Sequence, residues 1–411
     1  MATYPVFLDL AGRRTLVVGG GPVAARRAAS LVESGALVEV VAPWLCEDLA
    51  LLVADRRVEW HAREYAAGDL DGAWFVHTAT GDRLVDDAVA ADAEAARVWC
   101  VRADDASRSA AWTPAVARGA DGVVLAVSGG GDPGRARAVR DAVAAALDAG
   151  TLPVRRTRAA AAPAVGVVHL VGGGPGDEEL LTVRGRRLLA QADVVVVDRL
   201  APRSVLASLA ADVEVIDCGK TPGHHQLTQD QINEVLVDRA RQGLTVVRLK
   251  GGDPFVLGRG GEEALYCHAA GVPVTVVPGV TSVVSVPAAA GIPVTHRGVT
   301  TSFALVSAHD GIDPVVEAAR SHSVSTTLVL LMGVRLLRSS CAALIEAGRP
   351  ASTPVAIVER GWTASQRTTV GTLADIADLA EARGVESPAV VVVGDVVALR
   401  SRLGPFSPEL D

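Results

Sequence analysis

The stretch RTLVVGGGPVAARRAASLVESGALVEVVAP, Arg14–Pro43, reads as a strand, a glycine turn, a helix and a second strand. Gly19, Gly21 and Ala24 fill the three slots of G-x-G-x-x-G/A. The first glycine permits the tight turn, and the second lets a pyrophosphate approach the backbone. The small third residue lets helix and strand pack closely, with phosphates facing the helix N-terminus. A glycine turn before a helix can be purely structural, but its place at the first βα turn favours dinucleotide binding. The ribose-binding acid is less defined. Glu39 lies 20 residues past Gly19, yet it falls inside the second strand, which ends at Ala42–Pro43. It reads equally well as an exposed strand residue, so NAD and NADP are not distinguished here.

Around this unit, composition sets bounds. A chain of 411 residues, 49% hydrophobic and 21% charged, can bury a sizeable core and divide into more than one domain. A formal charge of −8 offers no global basic field to nucleic acid, so anionic ligands must be met by local arginines and lysines. Cys46, Cys100, Cys218, Cys267 and Cys341 are dispersed, with no CxxC and no zinc spacing, which predicts no metal site and suits a reducing compartment. The opening MATYPVFLDL lacks the basic region and long apolar core of a secretion signal. The uncharged run Ala269–Thr295 is broken by Pro273, Pro278, Gly279, Pro287, Gly291 and Pro293, so a buried strand, loop and helix are expected rather than a membrane span. The expectation is a cytoplasmic protein.

Apolar strand-like runs alternate with alanine-rich helical stretches, which predicts α/β architecture. Beyond the first two strands, the clearest runs are Val123–Val127, Val165–Val171, Val194–Val197, Val246–Leu249, Val274–Val277, Leu328–Leu331 and Ala389–Val393. Between Thr151 and Pro163, TLPVRRTRAAAAP has no period and two prolines, and it reads as a linker over 151–164. In the first half, Asp104 and Asp105 follow a short strand, and Ser128–Pro133, SGGGDP, forms another glycine loop. In the second half, strand and glycine turn recur as VVHLVGGGPGDEELL, where Asp177 is placed to cap a helix from Glu178. CGKTPGHH follows at Cys218–His225, then LKGGDPFVLGRGGEE at Leu249–Glu263, VPGVTSV at Val277–Val283 and LLMGV around Met332.

In that order, GPGD, VVDRL, LKGGDPFVLGRGGEE, VPGVTS, GIPVTHR and LMG closely resemble the uroporphyrinogen III C-methyltransferase family, of the tetrapyrrole methylase fold, over about Val165–Leu403. The first half, with VVGGGPVAARR, TATGD and VRAD, resembles the NAD-dependent precorrin-2 dehydrogenase and ferrochelatase module. In tandem the two resemble the siroheme synthases. The resemblance implies an N-terminal Rossmann-like dinucleotide-binding domain over 1–113 and a shortened dimerisation and chelatase region over 114–150. A two-lobed tetrapyrrole methylase domain follows over 165–411.

The resemblance also implies roles. S-adenosylmethionine is bound by Pro175, Gly251, Gly252, Asp253, Val256, Thr281, Ser282, Met332 and Gly361, and NAD by Gly19, Gly21, Pro22, Val23, Pro43 and Trp44. Asp198 becomes a proton acceptor and Lys220 a proton donor in methyl transfer, while Asp104 serves both dehydrogenation and insertion of ferrous iron. Ser128 matches a serine of the substrate region. Because the tetrapyrrole is ringed by carboxylates, Arg199, Lys250, Arg259 and Arg297 are expected as clamps. A homodimer is also implied. Two departures stand out: Val101 replaces an asparagine common shortly before the aspartate, and the segment between the modules is much reduced. One reading is a trifunctional enzyme of siroheme synthesis; the other keeps only the methyltransferase, with the first half a dinucleotide-binding or dimerising module.

Overall fold

The computed structural model describes residues 4–119, 122–152, 164–219, 227–309 and 311–406. Its contacts divide the chain into two units, Met1–Arg118 with Val124–Arg140, and Gly119–Val123 with Asp141–Asp411. The division falls inside the helix Pro133–Ala149, ahead of the segment 151–164 read as a linker.

In the first unit, β1 (Arg14–Val18), β2 (Leu37–Val41), β3 (Val58–His61), β4 (Phe75–Thr78) and β5 (Trp99–Arg102) form a parallel sheet of order β3-β2-β1-β4-β5. Strand order reverses between β1 and β4, which opens the crevice where doubly wound sheets bind ligands. Helix α1 (Pro22–Glu33) buries Ala24, Ala25, Ala28 and Leu31. Three alanines on that face let the helix axis approach the strands closely. α2 (Glu47–Ala54) and α3 (Arg83–Ala96) complete the layers. An antiparallel hairpin of β6 (Ala115–Arg118) and β7 (Val124–Val127) precedes α4 (Pro133–Ala149), whose only buried residue is Ala136.

The second unit opens with a parallel sheet of β8 (Val167–Gly172), β9 (Val194–Val197), β10 (Glu214–Asp217), β11 (Thr245–Lys250) and β12 (Val274–Val277), in the order β10-β9-β11-β8-β12. Its valines are buried on both faces. Val168, Leu170, Val194 and Val196 join one cluster, while Val171, Val195 and Val197 join another on the opposite side of the pleat. The helices are α5 (Val183–Gln191), α6 (Gln229–Arg241) and α7 (Gly260–Ala269). α8 (Ser282–Ala289) leads to a mixed sheet of β13 (Phe303–Ser307), β14 (Thr327–Leu331), β15 (Pro354–Glu359), β16 (Arg367–Thr372) and β17 (Ala389–Val393), ordered β13-β14-β17-β15-β16. Only the β13–β14 pair is parallel.

Every strand expected from the apolar runs is present. Those not expected are mostly edge strands: β3 is VEWH, β10 is EVID and β16 is RTTVGT. An edge strand is half-solvated and keeps polar side chains, so it lacks a continuous valine run. The uncharged run Ala269–Thr295 becomes the end of α7, β12, a loop and α8; among the described residues no helix is long and apolar enough to cross a membrane.

Three chain reversals meet at the C-terminal ends of β8, β11 and β12, backbone against backbone. Gly174 and Gly252 exchange hydrogen bonds of 3.2 and 2.7 Å. A Cβ at Gly279 would lie 2.2 Å from the Gly252 carbonyl oxygen, and one at Gly172 would lie 2.5 Å from Gly279 Cα. Gly279→Ala is therefore expected to force the strand ends apart and destabilise the second unit by about 1–3 kcal/mol. Denaturant unfolding of the purified variant checks this; an unchanged midpoint would show that the junction yields freely.

Candidate active sites in the two units

In the first unit the parallel strands deliver their loops to one edge. After β1 the backbone turns at Gly19, with φ +127°, and a Cβ there would lie 2.3 Å from the Ala79 carbonyl oxygen beyond β4. The neighbouring Gly20 packs on the backbone of Trp44, and its carbonyl accepts the Cys46 N–H at 2.7 Å. Gly21 differs: it has φ −82°, and only the Trp44 ring, 3.9 Å from a would-be Cβ, comes near. It is the N-cap of α1 with no side-chain cap, and no acid sits in the first turn. An uncapped N-terminus facing open space, with Pro22 and Val23 exposed beside it, has the donor set that a pyrophosphate requires. Pro43 and the Trp44 side chain are exposed on the adjacent loop. The turn fits a dinucleotide.

Glu39 does not reach this edge. Its carboxylate holds Arg14 at 2.7 and 2.8 Å and His61 Nε2 at 3.0 Å, and the Arg14 guanidinium lowers its pKa. It is a half-buried strand residue paired across the sheet.

Asp104 follows β5 at the same edge, tied to it because the Ala103 N–H donates to the Thr78 carbonyl at 2.9 Å. Both of its carboxylate oxygens accept from Arg102, Nε at 2.9 Å and Nη2 at 2.7 Å, which holds the carboxyl below the usual carboxylate range. Arg102 has no exposed side-chain surface and also donates to Asp87 at 2.5 Å. In the sequence Arg102 is marked only by its place at a strand end, two residues before the acid. Val101 is packed in the apolar core and offers no polar group here. Ser128 is exposed after β7, in a loop whose Asp132 carboxylate caps α4 through the Gly134 and Arg135 N–H groups at 2.8 and 3.0 Å.

In the second unit, Asp198 follows β9, half-buried, its N–H bonded to the Leu249 carbonyl at 2.9 Å and one carboxylate oxygen accepting the Arg199 N–H at 2.8 Å. Gly251 and Gly252 follow β11, and a Cβ at Gly252 would lie 3.7 Å from the Ser282 nitrogen at the N-terminus of α8. Thr281 caps that helix. Asp253 is a clip: one oxygen accepts the Phe255 N–H at 2.8 Å and the other the Gly279 N–H at 3.0 Å. Val256 packs with the cluster beneath α8. The turn after β8 approaches the loop after β15, since a Cβ at Gly176, next to Pro175, would lie 3.1 Å from the Gly361 carbonyl oxygen. Gly361 packs on Val286, and Trp362 Nε1 donates to the Ser285 carbonyl at 2.7 Å. These loops belong to one constellation.

Backbone strain marks the same loops. The described non-glycine residues of this unit with left-handed φ are Leu257, Arg259, Met332, Arg360 and Trp362. Such residues cost about 1–3 kcal/mol each and persist where the surroundings over-determine them. Met332 has φ +59° and is 42% exposed, so it is not core filling.

Two of the expected clamps have carboxylate partners within the chain. The Lys250 ammonium is buried and donates to both oxygens of Glu263, at 2.9 and 3.0 Å, so it faces the interior. Glu263 also accepts Arg248 Nε at 3.0 Å and Gln229 at 3.2 Å. Its carboxylate compensates two buried cations, a role visible in the sequence only as the last letter of GRGGEE. Arg259 is held by its neighbour Glu262 at 2.9 and 2.6 Å. Arg199 and Arg297 are exposed. Lys220 lies outside the described residues.

The fold and its loops define a class: a Rossmann-like NAD(P)-binding unit preceding a two-lobed tetrapyrrole methylase unit. Residues 167–377 match the model for Tetrapyrrole (Corrin/Porphyrin) Methylases, and 6–115 match one described as NAD(P)-binding. A siroheme synthase of Chromobacterium violaceum is 38% identical, over 98% of this chain and 97% of its own. The chain belongs to the siroheme synthase family. That alignment spans 455 positions against 411 residues here, so the relative carries segments this chain lacks. An S-adenosyl-L-methionine-dependent uroporphyrinogen III methyltransferase of Methanosarcina barkeri is 50% identical over 58% of this chain and 95% of its own. The solved cobalt precorrin-4 methyltransferase, a cobalamin biosynthetic enzyme, is 29% identical with a TM-score of 0.50, covering 56% of this chain and 95% of that one.

Two substitution pairs test these sites. Gly19→Ala should destabilise the first unit by roughly 1–3 kcal/mol. Gly21→Ala should weaken NAD binding in calorimetry by crowding the phosphate approach, while costing no more than the roughly 1 kcal/mol of an N-cap change in thermal unfolding. Glu263→Gln leaves two buried cations uncompensated and should cost about 3–5 kcal/mol in denaturant unfolding. Glu262→Gln, at an exposed pair, should leave stability unchanged.

Proposed function

We propose that the chain converts uroporphyrinogen III to siroheme: two methylations to precorrin-2, oxidation to sirohydrochlorin, then insertion of ferrous iron. The observation that carries this reading is the convergence, in one chain, of an open dinucleotide turn beside Asp104 and a strained loop constellation beside Asp198. S-adenosylmethionine supplies the methyl groups, and NAD accepts the hydride.

The second unit's task is positioning and proton removal. The loops at Pro175, Gly251–Val256, Thr281–Ser282, Met332 and Gly361 hold the methyl donor. A ring carbon forms the new C–C bond as the C–S bond breaks, and the proton that carbon carried must leave. Asp198, at a strand's C-terminal end with one oxygen on the Arg199 N–H, has its other oxygen to accept it. Lys220 is the proton donor of this proposal. Arg199 and Arg297 remain exposed cations suited to the substrate's carboxylates.

In the first unit, Gly19, Gly21, Pro22, Val23, Pro43 and Trp44 hold NAD, and Asp104 takes the proton released as the substrate loses hydride. The same carboxylate accepts pyrrole protons as iron enters, with Ser128 toward the substrate. The domain reading is 1–113 for oxidation, 114–150 for the chelatase and dimer region, and 165–411 for methylation, in a homodimer.

The test is anaerobic mass spectrometry of products from uroporphyrinogen III with S-adenosylmethionine, then NAD, then ferrous iron. Expected are a dimethylated product, its loss of two hydrogens with NAD, and iron entry faster than without enzyme. Asp198→Asn should reduce methylation by about 10²–10⁴-fold while leaving NAD-dependent oxidation of supplied precorrin-2 unchanged. A series stopping at precorrin-2 would make the first unit a binding module, and absence of methylation would overturn the whole reading.

A further inference from the structure

Arg102 is a guanidinium with no exposed side-chain surface at the end of β5, and it spans two carboxylates. Nε and Nη2 take the two oxygens of Asp104, while Nη1 takes Asp87 on α3. The same Asp87 oxygen also accepts Arg108 Nη1 at 2.6 Å. Asp105, the remaining acid beside Asp104, is turned away, accepting the Ser107 N–H at 2.9 Å and its hydroxyl at 2.6 Å. The charged groups around Asp104 are therefore Arg102 from its own strand, Asp87 from α3, Arg108 from the following turn and Asp105 from the loop. Among these side chains Arg102 is the one bonded to its carboxylate, which also accepts the backbone N–H groups of Asp104 and Asp105.

A two-point fork fixes the plane of a carboxylate as well as its charge, which a lysine's point charge does not do. The Asp104 side chain is 31% exposed after a short strand, and of the side chains around it the Arg102 fork is the one that bonds both its oxygens. We propose that Arg102 is the positioning residue of the first unit's site, locking the Asp104 carboxylate in plane and keeping it anionic where the substrate delivers its proton. This rests on the reading of Asp104 as the base of the dehydrogenation. In that step the substrate loses a hydride to NAD and one proton to Asp104, which passes it to water.

The sign of the effect follows from the pairing. Arg102 lowers the Asp104 pKa, and a general base works only while deprotonated, so activity is lost as pH falls through that lowered value. Without that cation the neighbouring Asp105 carboxylate, a like charge beside Asp104, raises its proton affinity.

The experiment uses the full chain, precorrin-2 and NAD, reading NADH absorbance in single turnovers against pH. NAD titration followed by tryptophan fluorescence reports an intact first unit. Arg102→Gln, which retains hydrogen-bonding capacity without charge, should move the acid limb up by about one pH unit. Arg102→Lys, which keeps the charge but loses the fork, should leave the limb in place and lower the plateau roughly tenfold. In Asp104→Asn the limb should vanish. An unmoved limb in Arg102→Gln with NAD affinity retained overturns the inference, as does a limb that persists in Asp104→Asn. Should Arg102→Gln fail to bind NAD, an unchanged plateau in Arg102→Lys overturns it equally. Methylation without any NADH from the unmodified chain rejects the dehydrogenase reading and this inference together.

Discussion

The second unit depends on backbone meeting backbone where β8, β11 and β12 end. Gly172, Gly252 and Gly279 approach so closely that no side chain fits between them. Because the strands are parallel, their C-terminal ends share one edge, and three loops must leave it at almost the same point. Glycine is the residue that allows both the approach and the left-handed turn at Gly252. The conformational freedom these loops lose on folding is offset by contacts that fix them in a single arrangement. Asp253 completes that arrangement by clipping its own loop to Gly279, so a residue expected to hold a ligand also builds the cradle.

Charge is organised by the same economy in both units. Each site has an acid at a strand end, Asp104 or Asp198, and a buried or half-buried cation network nearby. In the first unit Arg102 acts on Asp104 directly. In the second, Arg248 and Lys250 are turned inward to Glu263, which ties β11 to α7 and closes the base of the glycine loop between them. A buried carboxylate bonded to two cations resists replacement, because removing it strands charge in the interior. Arg199 and Arg297, by contrast, stay exposed at the surface.

The dinucleotide turn was legible because G-x-G-x-x-A at a first βα turn has few structural uses other than close approach, and the valine runs were legible because central parallel strands are buried on both faces. Edge strands such as VEWH and EVID were not, since half-solvated strands carry no continuous apolar signal. Glu39 was ambiguous because strand position does not say whether a partner waits across the sheet; Arg14 and His61 do wait there. Lys250 was misread for a related reason. A lysine beside a glycine loop looks solvent-facing until α7 brings Glu263 against it, 13 residues later in the chain.

The sequence by itself determined the two-part α/β organisation, the positions of the glycine turns and the order of motifs that marks the family. These are local or periodic properties, written in residue types at fixed spacing. Tertiary structure alone decided which charges face a ligand and which face each other. It also decided which glycine is open to a phosphate and which is closed against a neighbouring backbone, as Gly21 and Gly19 divide those roles. Such pairings depend on through-space distances between strand ends far apart in the chain, and spacing along the chain does not encode them.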